Sequence, residues 1–247
     1  MVALIGLVLS IVISLCWYLP GIRAQGKNQV LTGKDYVKVV LLYGLCCTCI
    51  PIIITEILWD VVADVIGLSG LKRDLLSDFF RAALLEEFFK LMGFLLAKRS
   101  LKLTRKIDYI MIAGLIGLVY GVVEKAMIGN IMGVIVALAI PMHIMWQFNQ
   151  GGHTFEYEKA KAVGNPALAK REWLMATAVP FLFHGCWDAG LDLVAHFMES
   201  DAEMLPILGF SLLLAMIILG AIYTVRTIRK VCATARAESS REAVPEA

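Results

Sequence analysis

Long apolar stretches alternate with short polar ones along this chain of 247 residues. Seven such stretches, at about 2–20, 37–58, 75–97, 107–124, 131–150, 173–197 and 205–225, each approach the ~20 residues that a helix needs to cross the hydrocarbon of a bilayer. The pattern predicts an all-α polytopic membrane protein with about seven transmembrane helices. Lys and Arg orient it, because cytoplasmic loops are enriched in them. The first loop has Arg23, Lys27 and Lys34; the third has Lys98, Arg99, Lys102, Arg105 and Lys106. The fifth has Lys159, Lys161, Lys170 and Arg171, and the tail has Arg226, Arg229, Lys230, Arg236 and Arg241. Against these, the second loop has only Lys72 and Arg73, the fourth only Lys125, and the sixth none. The N-terminus is therefore expected outside and the C-terminus inside. The first stretch follows Met1 with no basic leader and no small-residue cleavage site, so it reads as a retained anchor. A single membrane domain over 1–230 is expected, followed by a polar tail, 231–247, expected to be disordered. Pro51, Pro141 and Pro180 interrupt apolar stretches, and each should free a backbone carbonyl that a buried neighbour must satisfy.

Composition agrees: 59% of residues are hydrophobic and the mean hydropathy is +0.75, against roughly 45–50% apolar residues in soluble domains. The net charge of +2 is too small to suggest a nucleic-acid partner. The six cysteines form no framework in an outer loop, and Cys46 and Cys49 lie inside an apolar stretch with no histidine nearby. They read as packing residues, not as a disulfide or metal pair.

Charge inside the apolar stretches changes the picture. The third carries Glu86, Glu87 and Lys90, and each ionisable group near a bilayer midplane costs roughly 2.5–3.5 kcal/mol, so such residues mark functional sites by default. Glu86 and Lys90, at i and i+4, are expected to pair and to leave Glu87 free about 100° away. A plain structural ion pair between packed helices is the alternative. The fourth stretch ends Gly117-x-x-x-Gly121-x-x-Glu124, where the glycines would let a neighbouring helix approach closely. The fifth carries His143, Gln147 and Gln150 along one stripe, and the sixth carries His184 and Asp188 at i and i+4, with Asp192 a turn further on. At ~1.5 Å rise per residue, Glu86 and Glu87 lie about 17 Å, and His143 about 18 Å, below the outer ends of their stretches. Acids and histidines on four helices at comparable depth point to a water-accessible active site. His153, with Glu156 and Glu158, reads instead as a solvated helix end, and His196 as interfacial.

Glu86-Glu87-x-x-Lys90, Gly117-x-x-x-Gly121-x-x-Glu124, the His143 stretch ending in Gly151-Gly152, and His184-Gly185-x-x-Asp188 resemble, in order and spacing, the motifs of PrsW-type intramembrane proteases. The resemblance covers about residues 75–195. It implies hydrolysis of a peptide bond in a membrane-anchored protein, anti-sigma-factor-like in the family's best-known case, in a bacterial cytoplasmic membrane. CAAX prenyl endopeptidases and bacteriocin-processing proteins of the wider clan carry similar motifs. Two departures are Lys125, where the family often has Asn, and Met142, where it often has Gly. The stretch from Gln147 to Gln150 is also unusually hydrophilic.

Amide hydrolysis needs an activated water, oxyanion stabilisation and a proton for the leaving amine. Glu87, or Glu86, is assigned as base, with Glu124 holding the water. His143 and His184 stabilise the oxyanion and protonate the amine, with Asp188, Lys90 and Gln147 orienting these groups. No cofactor is expected on this assignment. Zinc held by His143, His184 and Glu87 or Glu124 is the alternative. The partners expected are a membrane-anchored protein substrate and the lipid bilayer. A proton-coupled transporter would use similar residues but should show inverted repeats, and none is evident. A non-enzymatic scaffold would keep its function when Glu86 or Glu87 is changed.

Overall fold

The computed structural model describes residues 2–25, 31–128, 140–199 and 204–242, and it is helical throughout apart from short connections. Helix α1 is Val2–Gln25. Helix α2 (Gly33–Lys38), a π-helical stretch π1 (Val39–Cys49) and α3 (Ile50–Val65) run on as one rod, Gly33–Val65. A second rod joins α4 (Gly70–Leu76), π2 (Ser77–Leu85) and α5 (Glu86–Leu101). Then come α6 (Lys106–Ile128), α7 (Ile140–Ala162), α8 (Pro166–Met198) and α9 (Leu205–Glu242).

Local chemistry sets several ends. Thr32 and Asp35 form a reciprocal capping box that starts α2. Gly67 and Gly70, at φ +69° and +57°, make the turn into α4, where a side chain would strain the backbone. Lys102, at φ 52°, closes α5, and the Leu103 N–H reaches back to the Lys98 carbonyl. Asn165 caps α8 through Leu168 N–H, with Pro166 in the first turn.

Among the described residues, three stretches are long and apolar enough to cross a membrane: Gly33–Val65, Lys106–Glu124 and Leu205–Ser240. Their burial differs, at 33%, 78% and 11% of the apolar window, and this locates the centre of the bundle at α6. Ile107, Met111, Ile112 and Ile116 of α6 are fully enclosed with Phe94, Ile144 and Met145 of the neighbouring helices. Glycines bring α6 and α7 together: a Cβ on Gly117 would stand 2.6 Å from the His143 carbonyl, and one on Gly151 would collide with the Tyr109 carbonyl. In α8, Pro180 has no N–H for the Ala176 carbonyl, and Gln150 of α7 donates to that carbonyl at 3.1 Å. The side chains of Lys125 and Pro141 and the first part of the expected 131–150 stretch lie outside the described residues.

Of the tail expected over 231–247, residues 243–247 lie outside the described residues, and 231–242 are helical. Helix α9 continues to Glu242, with Val231 and Ala235 buried in the core. Glu238 accepts from the Lys106 and Ile107 backbone N–H groups at 3.1 and 3.2 Å, capping the start of α6. A polar composition hid this order, because two buried apolar residues and one cap are enough to dock a helix end.

Candidate functional site

Four helices deliver polar side chains to one buried place. Glu86, Glu87 and Lys90 lie in the first turns of α5, directly after π2, where the hydrogen-bond register changes. Tyr120 and Glu124 come from α6, His143, Trp146 and Gln147 from α7, and His184 and Asp188 from α8.

Lys90 is at the centre and is wholly buried. Its Nζ donates to Glu87 Oε1 at 2.8 Å and to Glu86 Oε2 at 3.2 Å, and stands 3.1 Å from His143 Nδ1 and 4.0 Å from the centre of the Tyr120 ring. The free Glu87 expected from helix geometry is therefore not found. Residue 90 is at +3 from Glu87 as well as +4 from Glu86, and its flexible stem lets one ammonium serve both. Glu87 is in fact the more tightly held. Its Oε1 also faces His184 Nδ1 at 2.9 Å, and its Oε2 accepts from Gln147 Nε2 at 2.7 Å.

The histidines are each set by carboxylates. His143 Nε2 lies 2.9 Å from Glu124 Oε2, so with Lys90 donating to Nδ1 the ring carries its proton on Nε2. His184 Nε2 lies 3.0 Å from Asp188 Oδ2 and 3.7 Å from Glu86 Oε2. The two rings stand edge to face at 5.0 Å, and Trp146 stacks on His184 at 4.7 Å. Four carboxylates thus face one ammonium and two imidazoles in a site largely screened from water.

All of Glu86, Glu87, Lys90, Glu124, His143, Gln147, His184 and Asp188 meet here. Two further residues, Tyr120 and Trp146, were missed, although Tyr120 precedes Glu124 by four residues and Trp146 follows His143 by three, so both were placed by helical spacing. His153 lies apart, paired with Glu172 at 2.7 Å, and His196 is exposed. The cysteines are free.

The residues also fit a metal. Glu86, His143 and His184 each offer one ligand atom, all within 4.8 Å of one another, and all three residues are buried. Two nitrogens and a carboxylate oxygen are the donor set of a three-ligand zinc site. Glu124 faces His143 Nε2 and Glu87 faces His184 Nδ1, as outer carboxylates orient metal-binding imidazoles, so a metal would take His143 Nδ1 and His184 Nε2, which here face Lys90 and Asp188.

A family profile described as PrsW family intramembrane metalloprotease matches residues 33–222, more than three quarters of the chain, and every residue of the cluster lies within the match. No curated protein and no solved structure matches.

Proposed function

The chain belongs to the PrsW family of intramembrane proteases, and from that premise we propose that it hydrolyses a peptide bond of a membrane-anchored protein at the cluster around Lys90. The observation that carries the proposal is the convergence of Glu86, Glu87, His143 and His184 from three helices into one buried contact set. Charge at this depth is costly, and a cluster of this kind is retained for chemistry. The protein crosses the bacterial cytoplasmic membrane seven times as one membrane domain, with its N-terminus outside. Its substrate is an anchored protein of the anti-sigma-factor type.

We assign the metal-dependent form. The excess of carboxylates over cations calls for a further positive charge, and Glu86, His143 and His184 would hold a zinc ion. Bound there, zinc supplies a polarised carbonyl and a water that ionises near neutral pH. Glu87 is then the general base. Among the described residues its Oε2 accepts one hydrogen bond, from Gln147, and keeps a lone pair for a proton, while its Oε1 holds Lys90 and the His184 ring. Glu124 fixes the His143 tautomer. Asp188 faces His184 Nε2 at 3.0 Å, the nitrogen that would turn to the metal once it is bound.

The metal-free reading rests on Lys90. Its ammonium already stands within 3.2 Å of Glu86, Glu87 and His143, and it would supply the positive charge itself, with a glutamate as base. Both readings are tested with purified protein in vesicles of phosphatidylethanolamine and phosphatidylglycerol. The probe is a pool of single-span peptides bearing a fluorophore and quencher across the outer membrane end. Cleavage is expected, lost on chelation and regained with about one zinc per chain. Cleavage indifferent to chelators, with no metal in elemental analysis, would assign the metal-free form. A pool left intact by wild-type protein and cut by no fraction would refute the protease reading.

A further inference from the structure

We infer that Gln147 is a catalytic residue that aims the attacking water, its side-chain carbonyl accepting one proton of the water while Glu87 Oε2 accepts the other. The inference rests on the peptidase reading above and on three observations.

Gln147 is completely buried. Its Nε2 donates to Glu87 Oε2, and because an ionised carboxylate only accepts, the amide must present its NH2 there and leave Oε1 as the neighbouring atom of the same amide group. Among the described residues, that Oε1 meets no hydrogen-bond partner. A buried acceptor left unpaired costs about 1–3 kcal/mol, so a group so placed has a donor in the working enzyme. The side chain cannot swing away to find one elsewhere. It is fastened to Glu87 at its tip and pressed against Gly117 at its root, where a Cβ would stand 2.8 Å from Gln147 Cγ.

Because Oε1 shares its carbon with the Nε2 that reaches Glu87 Oε2 at 2.7 Å, the oxygen is held one amide group away from the carboxylate assigned as base. Both atoms are acceptors, and one water has two protons. Held between them, the water keeps a lone pair directed away from both. In the reaction its oxygen bonds to the scissile carbonyl carbon, one proton passes to Glu87 Oε2, and the other stays on the new hydroxyl against Gln147 Oε1. The C–N bond then breaks as the amine takes the proton from Glu87, leaving an acid and an amine. Alignment of this kind acts on the reacting complex and not on substrate capture, so it belongs to kcat.

The test compares wild type with Gln147→Met, which keeps the length and removes both the donor and the acceptor. The cleaved peptide of the pool is used as substrate, with melting temperature and bound metal measured alongside. We expect kcat to fall by about 10- to 100-fold with KM within about twofold, and melting and metal content near wild type. A KM that rises while kcat holds would overturn the inference and make Oε1 a contact for a substrate N–H. Loss of activity in step with melting temperature or metal would overturn it by making Gln147 a support for Glu87. Unchanged constants would overturn it outright and leave the protease reading standing. Failure of the wild type to cleave any peptide would bring down both.

Discussion

Replacing Lys90 by Met tests whether the buried ammonium organises the cluster. The side chain is inaccessible, and the two glutamates it serves expose 4% of their side chains each. The substitution keeps the apolar stem and deletes three polar contacts of 2.8, 3.1 and 3.2 Å, together with the ring contact to Tyr120. Breaking a buried ion pair by removing one partner typically costs about 3–5 kcal/mol, because the charge left behind has neither solvent nor partner. Serving two carboxylates argues for the upper end. A denatured state that stays in the membrane or micelle finds partners of its own and argues for less, so we expect about 3 kcal/mol. Glu87→Gln in the Lys90→Met background removes one of the stranded charges and should recover about 1–3 kcal/mol relative to additivity. The assay is reversible denaturation in mixed micelles followed by tryptophan fluorescence, with chelator present so that no metal substitutes for the ammonium. A loss under about 1 kcal/mol for Lys90→Met, or additivity of the pair within about 0.5 kcal/mol, would refute this account of Lys90.

Other outcomes follow from the same geometry. Gly117→Ala sets a Cβ 2.6 Å from a backbone oxygen, so α7 must shift; melting should fall by the equivalent of about 1–3 kcal/mol and cleavage by tenfold or more. Gly152→Ala, whose nearest neighbours would be 3.7 Å away, should be neutral or stabilising by up to about 1 kcal/mol, and a clear loss in thermal melting would contradict the packing described. Glu238→Gln weakens two charge-assisted bonds to the start of α6 and should cost about 1–2 kcal/mol in the same measurement. Glu87→Gln should lower cleavage by roughly 10² with folding retained; wild-type rates in both this variant and Glu86→Gln would end the glutamate-base assignment. Single cysteines at Ser69 and Ser200 should react with an impermeant thiol reagent from outside, and one at Ser239 should not; labelling of Ser239 in intact cells would reverse the orientation.

How much was legible in the sequence varies residue by residue. The carboxylates and histidines stood out because an ionisable group in an apolar stretch is costly and cannot be incidental, and their helical spacing named Lys90, Asp188 and Gln147 as companions. Gly117 announced a close approach, and Pro180 announced a freed carbonyl, for the same kind of local reason. Local rules could not say that Gln150, thirty residues earlier, would satisfy that carbonyl.

The sequence by itself determined an all-helical membrane protein, its family and the acids and histidines that could meet in one cluster, since hydropathy, motif spacing and the cost of buried charge are properties of short segments. Only the tertiary structure decided that Lys90 serves both glutamates, that Glu87 is the more encumbered of the two, that Tyr120 and Trp146 wall the site, and that residues 231–242 continue α9 and cap α6. Each of these depends on which faces of distant helices meet. That is a choice made by packing over the whole bundle, and no stretch of sequence carries it alone.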